Sequence, residues 1–84
     1  DIAPLIAAIK SKNFDEVSKI ILTNDLSGAE LYKALFDNRA SIVKDSAIPE
    51  FITIVNEHQY KDAFSANKEI NALACCAILM ASVI

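Results

Sequence analysis

The last part of the sequence carries no charge, since no charged residue appears between Glu69 and the final residue, Ile84. A helix that is apolar around most of its circumference must be covered by other protein or by lipid, because a small domain standing alone usually leaves one helix face in water. The uncharged stretch therefore predicts a final helix with packing partners on most of its sides.

The composition also indicates partners. The chain has 84 residues, the size of one small domain, for which oligomerisation is a common source of stability. Hydrophobic residues make up 54% of it, above the roughly 45–50% that is usual for globular proteins. The formal net charge is −3 and the eight basic residues are scattered, which disfavours direct binding to nucleic acid, because that requires clustered Lys and Arg.

The chain is predicted to be all-α, because apolar residues recur at intervals of three and four and the sequence contains one Gly and two Pro. Five helices account for the pattern, with no linker between them. The predicted helices are residues 2–11, a second after Asn13, a third from Ser27 towards a break at residues 45–49, a fourth from Pro49 to about Phe64, and a fifth after Asn67.

Four residues have the types and spacings of helix caps. Asn13 precedes the second helix, with Glu16 three residues later. Ser27 and Glu30 have the spacing of a capping box before the third helix. Asn67 precedes the last helix. The predicted structural caps are therefore Asn13, Ser27, Glu30 and Asn67.

No catalytic, cofactor-binding or metal site is predicted. His58 is the only histidine, and no cluster of other ligands at metal-binding spacing accompanies it. Cys75 and Cys76 are adjacent, so on a helix they point about 100° apart and cannot form an ordinary disulfide; small core residues are the expectation. Helix starts and solvated faces explain the acidic residues. No phosphate-binding loop of the form G-x-x-x-x-G-K-[ST] is present.

The six aromatic residues fall at core spacings and not beside clustered basic residues. They are therefore predicted to pack in the core, since stacking on nucleic-acid bases requires a basic groove next to them. These residues are Phe14, Tyr32, Phe36, Phe51, Tyr60 and Phe64.

The uncharged end has two interpretations. As a membrane anchor it is short, about 15 residues against the roughly 20 that a spanning helix needs, and it contains Asn71 and Ser82. As an interface helix it needs nothing added, because its small residues permit a second helix to approach closely. The interface is favoured, and the candidate interface residues are Leu73, Ala77, Met80, Ala81 and Ile84.

Four segments carry a family resemblance. Residues 11–17 read SKNFDEV, residues 26–28 read LSG, residues 48–49 read IP, and residues 60–70 read YKDAFSANKEI before an Ala- and Leu-rich last helix. In this order they resemble the C-terminal collar domain of sliding-clamp loader small subunits, a family that includes replication factor C. The most specific part is residues 60–74, where an aromatic residue, a short spacer, a small residue, Asn and an acid precede the last helix.

The branch of the family is indicated by residues 56–67, which look most similar to the clamp-loader ATPase subunit of T-even-like phages. A phage or phage-like source is therefore expected. The sequence departs from the family in the adjacent Cys75 and Cys76 and in Ala66, where many cellular members have Gly-Ala before Asn67.

The resemblance implies a compact five-helix bundle at the C-terminus of an AAA+ ATPase subunit, packed beside sibling domains in a pentameric collar during DNA replication. Residues 1–84 would form that single domain, and the absence of an initial Met fits a C-terminal fragment. The fragment would need no cofactor of its own. ATP, Mg²⁺, the sliding clamp and primer-template DNA would bind to domains that precede Asp1. The expected location is the cytoplasm, which for a phage is that of the host.

Two alternatives stay open. The first is an unrelated helical protein-interaction domain, such as a death-fold-like adaptor or a piece of a helical repeat. The second is a membrane-anchored fragment whose apolar run continues after Ile84. Sequence outside residues 1–84 would separate them from the collar, because a P-loop, tandem helical repeats or a longer apolar run each support a different one.

Overall fold

The helical periodicity of the sequence produces an all-α fold without a β-strand, which confirms the predicted class. A computed structural model describes all 84 residues, and its Cα atoms have a radius of gyration of 11.4 Å. The helices are α1 (Ala3–Lys10), α2 (Phe14–Asn24), α3 (Gly28–Asp37), α4 (Arg39–Ile42), α5 (Ile48–Asp62) and α6 (Lys68–Ser82), with one 3₁₀ turn at Asp45–Ala47.

The predicted third helix is divided at Asn38, so the chain forms six helices where the sequence predicted five. The Asn38 side-chain amide donates to the carbonyl of Ala34 at 2.8 Å, and the Arg39 guanidinium donates to the carbonyl of Phe36 at 3.0 Å. Side chains thus bond to carbonyl groups at the end of α3, which favours ending a helix over continuing it.

Much of the core is formed around α6, which contacts α5, α2 and α1, while α5 also contacts α3. Eighteen hydrophobic residues are buried in one cluster. The inner side of the uncharged stretch therefore belongs to the core of this domain and needs no other partner. Six of the buried residues come from α6 and the residue after it, namely Ala72, Cys75, Cys76, Leu79, Met80 and Val83.

The inward face of α5 consists of residues spaced three or four apart, the interval at which apolar residues recur in the sequence. Phe51, Val55 and His58 are buried, and Ile54 is half-buried against the same core. Pro49 lies in the first turn of the helix, where the missing N–H has no intrahelical partner to lose. The apolar period of this segment was thus sufficient to identify its buried side.

Two of the predicted caps form and one pair does not. Asn13 Oδ1 accepts a hydrogen bond from the Glu16 backbone N–H at 3.2 Å, and Asn67 caps α6 in the same way. Ser27 occupies the N-cap position of α3 but makes no capping hydrogen bond with its side chain, so the capping box with Glu30 is absent. The physical reason is the entry of the chain, which passes through Gly28 at a φ of +78° and not directly from an extended N-cap into the helix.

Four of the six aromatic side chains are exposed, so the prediction that they pack in the core is wrong for these four. Tyr32 and Phe51 are buried. Tyr60 lies nine residues after Phe51 on the same helix, and nine residues correspond to two and a half turns. Its ring therefore points to the opposite side of α5. The exposed aromatic residues are Phe14, Phe36, Tyr60 and Phe64.

Replacing Asn67 by alanine is expected to lower the free energy of unfolding by about 1 kcal/mol. The change removes the side-chain oxygen that accepts from the Ile70 backbone N–H at 3.1 Å. For a domain of this size the thermal midpoint should fall by about 4–8 °C, measured by circular dichroism. Asn56→Ala is the matched control, because Asn56 is exposed within α5 and caps nothing; an equal fall in both variants would contradict the capping role.

Candidate assembly surface

The outer side of α6 is an exposed apolar surface, which we call the α6 face. Its residues follow one another at intervals of three or four or lie side by side, so they occupy about a third of the helix circumference. Ile70 is 65% exposed and Ile78 41% exposed. A contiguous exposed apolar surface makes this side of α6 a candidate interaction site. The α6 face consists of Ile70, Ala74, Ala77, Ile78 and Ala81, all exposed.

The predicted interface residues are distributed over three environments. Ala77 and Ala81 are exposed within the α6 face. Leu73 and Ile84 are half-buried and pack against the core at its edge. Met80 is only 7% exposed and belongs to the core, so its prediction as an interface residue is corrected here. The reason is that Met80 lies on the side of α6 that the neighbouring helices cover.

Three residues of the α6 face were not predicted, namely Ile70, Ala74 and Ile78. They share a 3.6-residue period with Ala77 and Ala81, and this period is visible in the sequence. The period alone does not say which side of an uncharged helix is buried, because the inner and outer residues are equally apolar. Only the tertiary structure shows which side of α6 the other helices cover.

Two aromatic rings lie against each other, in a tilted arrangement, near the start of α6. The ring centroids of Tyr60 and Phe64 are 5.3 Å apart at an interplanar angle of 55°, and both residues are exposed. After the following turn comes a shallow cavity of about 380 Å³, which Asn67, Ile70 and Ala74 help to line. The apolar character of the α6 face therefore continues into a concave surface at its N-terminal end.

A second apolar concavity of about 330 Å³ lies between α3 and α5, and we call it the α3–α5 groove. Phe36 and Ile52 line it and are both partly exposed. The guanidinium carbon of Arg39 lies 4.2 Å from the centroid of the Phe36 ring, in the geometry of a cation–π contact. This contact covers part of the Phe36 ring, which explains how an aromatic side chain is accommodated at the surface.

A buried polar cluster lies where α3, α5 and α6 meet. We call it the Asn71 junction, and it consists of Tyr32, His58 and Asn71. The Asn71 side-chain amide donates to the Tyr32 hydroxyl oxygen at 2.9 Å and to the His58 backbone carbonyl at 2.8 Å. The His58 ring nitrogen Nδ1 donates to the carbonyl of Ile54 at 2.8 Å. No sequence pattern predicted this cluster, because Asn71 lies 39 and 13 residues from its two acceptors.

The turn between α5 and α6 is closed by Asp62 and Lys68. The Lys68 ammonium donates to the Asp62 carbonyl oxygen and lies 3.3 Å from the carboxylate oxygen Oδ2. The other carboxylate oxygen, Oδ1, is buried without a hydrogen-bond partner.

The Tyr32 hydroxyl of the Asn71 junction has a raised pKa. Burial is the largest cause, and the nearby Cys75 and Asp62 act in the same direction. This group therefore stays protonated at neutral pH.

The two cysteine thiols are free and fully buried, as the sequence predicted. Burial raises the pKa of Cys76 from 9.0 to about 12. Burial, with the neighbouring Cys76, also raises the pKa of Cys75 well above its ordinary value. Because the thiolate is the reactive form of cysteine, both side chains are poor nucleophiles at neutral pH.

The charged residues make exposed pairs along the helices. Lys61 Nζ donates to Glu57 Oε1 at 2.9 Å, and this hydrogen bond and charge lower the pKa of Glu57. Lys33 and Asp37 form a similar pair at 3.1 Å. The structure brings no three His, Cys, Asp or Glu side chains together in an arrangement that would hold a metal ion. The α6 face has no charged residue and thus differs from the parts of the surface where charged residues form pairs.

None of the helices combines the length and the apolar character that crossing a bilayer requires. No protein-family model matches the chain, and neither does any curated protein or solved structure with which it was compared. The function is therefore inferred from the residues and from the geometry described above.

Proposed function

We propose that this chain is the collar domain of a sliding-clamp loader subunit, an oligomerisation domain that holds AAA+ ATPase subunits in a ring during DNA replication. The order of the segments at residues 11–17, 26–28, 48–49 and 60–70 supports the family. The observation that carries the assembly role is the α6 face, because its five uncharged residues stay exposed on a helix whose other side is already buried.

The composition of the α6 face suits contact with another subunit. Ala74, Ala77 and Ala81 allow a second helix to approach closely, while Ile70 and Ile78 supply apolar area. A contact that buried on the order of 400 Å² of apolar surface would contribute about 10 kcal/mol before the costs of ordering and association. These costs offset much of the gain, so the contact fits a reversible subunit interface.

On this proposal the domain performs no chemistry. Sibling domains pack side by side in a pentameric collar, which keeps the tethered ATPase modules at high effective concentration and in a fixed order. ATP, Mg²⁺, the sliding clamp and primer-template DNA bind to domains outside residues 1–84, and no membrane is involved. The complex works in the cytoplasm, which for a phage protein is that of the host.

Replacing Ala77 by aspartate is expected to weaken subunit association by about tenfold or more, equivalent to about 1.4 kcal/mol. The new carboxylate would lose its hydration at the centre of an apolar contact. Because Ala77 is exposed, the isolated domain accommodates the charge. Sedimentation velocity of the full-length protein over a concentration series measures the effect. Leu73→Asp should act in the same direction, and it also lowers stability because Leu73 packs against the core.

The matched control is Ala7→Asp, which adds the same charge at an exposed position within α1. Glu16→Ala, an exposed change at the start of α2, serves as a second control. Both are expected to assemble like the wild type. If the Ala77→Asp protein associates as tightly as the Ala7→Asp protein, the α6 face is not the subunit interface.

A helical adaptor domain unrelated to clamp loaders is the second candidate, and the α3–α5 groove favours it. Phe36 and Ile52 offer partly exposed apolar area there, separate from the α6 face. The two candidates differ in what precedes Asp1 in the same polypeptide. A P-loop followed by an acidic Mg²⁺-binding motif supports the collar, whereas tandem helical repeats support the adaptor.

A further inference from the structure

We propose that the Asn71 junction sets the rotational position of α6 and thereby decides which side of this helix is presented as the α6 face. The functional meaning of this inference rests on the proposed assembly role, whereas the position of α6 can be tested independently. Asn71 acts here as a positioning residue, since it is buried within the domain and touches no reacting group.

The two sides of α6 are chemically alike. Both consist of small and aliphatic residues without charge, so burying either side removes a similar apolar area from water. A helix with one charged side differs, because only its apolar side can be buried favourably. Hydrophobic burial therefore discriminates weakly between rotations of α6 about its axis. The inner residues are Ala72, Cys75, Cys76, Leu79 and Met80, and the outer residues are Ile70, Ala74, Ala77, Ile78 and Ala81.

The hydrogen bonds of Asn71 supply the missing discrimination. Asn71 is the only residue of α6 with a polar side chain that is buried. Its amide donates to Tyr32 on α3 and to His58 on α5, at 2.9 and 2.8 Å. These bonds depend steeply on distance and angle, and a shift by one residue turns the helix by about 100°.

A rotated α6 would leave the Tyr32 hydroxyl buried without its partner, which is unfavourable. A single buried asparagine also specifies the register of packed helices in coiled coils. The hydrogen bonds of the Asn71 junction thus fix the rotation of α6, which apolar packing along this helix does not fix.

The other polar contact at this end of α6 is less suited to the task. Lys68 reaches Asp62 through a long, flexible side chain that is about half exposed, while the Asp62 side chain is 14% exposed, so this contact tolerates a small rotation of the helix. Lys68→Met would leave the largely buried Asp62 carboxylate without its counter-ion. The control is therefore Lys61→Met, which removes only the exposed pair of Lys61 with Glu57 at the same end of α5.

The two thiols report the position of α6. Cys75 and Cys76 lie on the turn after Asn71 and are fully buried, so rotation of the helix exposes at least one of them. The test variant combines Tyr32→Phe with Asn71→Leu, which removes both polar groups and leaves no unpaired hydroxyl. Native-state reaction with dithionitrobenzoate is followed on the intact protein, and the modified cysteine is identified by mass spectrometry.

The double variant is expected to keep a thermal midpoint within a few degrees of the wild type. Its thiols should react on the order of tenfold faster, which corresponds to a change of about 1.4 kcal/mol in the free energy of the rotated states. Tyr32→Phe alone should give an intermediate rate, and Lys61→Met the wild-type rate. Wild-type reactivity in both Tyr32→Phe and the double variant would overturn the positioning role. Faster reaction would support it, even if Ala77→Asp assembled normally and the proposed function failed.

Discussion

Replacing Phe51 by alanine is expected to remove about 3–5 kcal/mol from the free energy of unfolding. Phe51 is fully buried on α5, which packs against both α3 and α6, so the change leaves a cavity that these helices cannot all close. A domain of 84 residues has a total stability of about 4–13 kcal/mol. Urea denaturation followed by circular dichroism should show a much lower midpoint.

Ile52→Ala is the control for this prediction. Ile52 follows Phe51 directly but is partly exposed in the α3–α5 groove, so its truncation should cost only about 1 kcal/mol, within the usual range for changes outside the core. Equal losses in the two variants would mean that Phe51 does not occupy the centre of the core.

Raising the pH above 9 is expected to destabilise the domain progressively. The Cys76 thiol loses its proton near pH 9.0 when ordinarily hydrated, whereas in the folded state burial raises its pKa to about 12. Between these values the unfolded state binds fewer protons than the folded state, so stability is complete below pH 9 and falls as the pH rises. The loss from Cys76 reaches about 4 kcal/mol above pH 12.

Cys75 and Tyr32 act in the same direction, because burial raises the pKa of both groups. The measurement is the free energy of unfolding in urea between pH 7 and pH 11. The double variant Cys75→Ala, Cys76→Ala should start lower, through lost packing, and then decline less steeply. An equally steep decline would show that the thiols do not cause the alkaline sensitivity.

Sequence patterns predicted the structure correctly where all the interacting atoms lie within one or two helical turns. Asn13 and Asn67 cap their helices through a backbone N–H three residues later, and Phe51 and Val55 lie on one side of α5 because they share its period. Ser27 shows the limit of such reasoning, since the spacing to Glu30 was right but the backbone at the start of α3 took another path.

Patterns failed where the outcome depended on which neighbours reach a side chain. Phe64 is as apolar as Phe51, but it lies in the turn after α5 and its side chain remains 74% exposed. Asn71 gave no sign of its role because its acceptors belong to α3 and α5, far away along the chain.

The all-α class and the caps at Asn13 and Asn67 were determined by the order of residues alone, because helix formation and capping are short-range. The two sides of α6 were decided only by tertiary contacts, because they are equally uncharged and their apolar residues do not distinguish them. Contacts with α1, α2 and α5 placed Met80 in the core and left Ala77 and Ala81 at the surface.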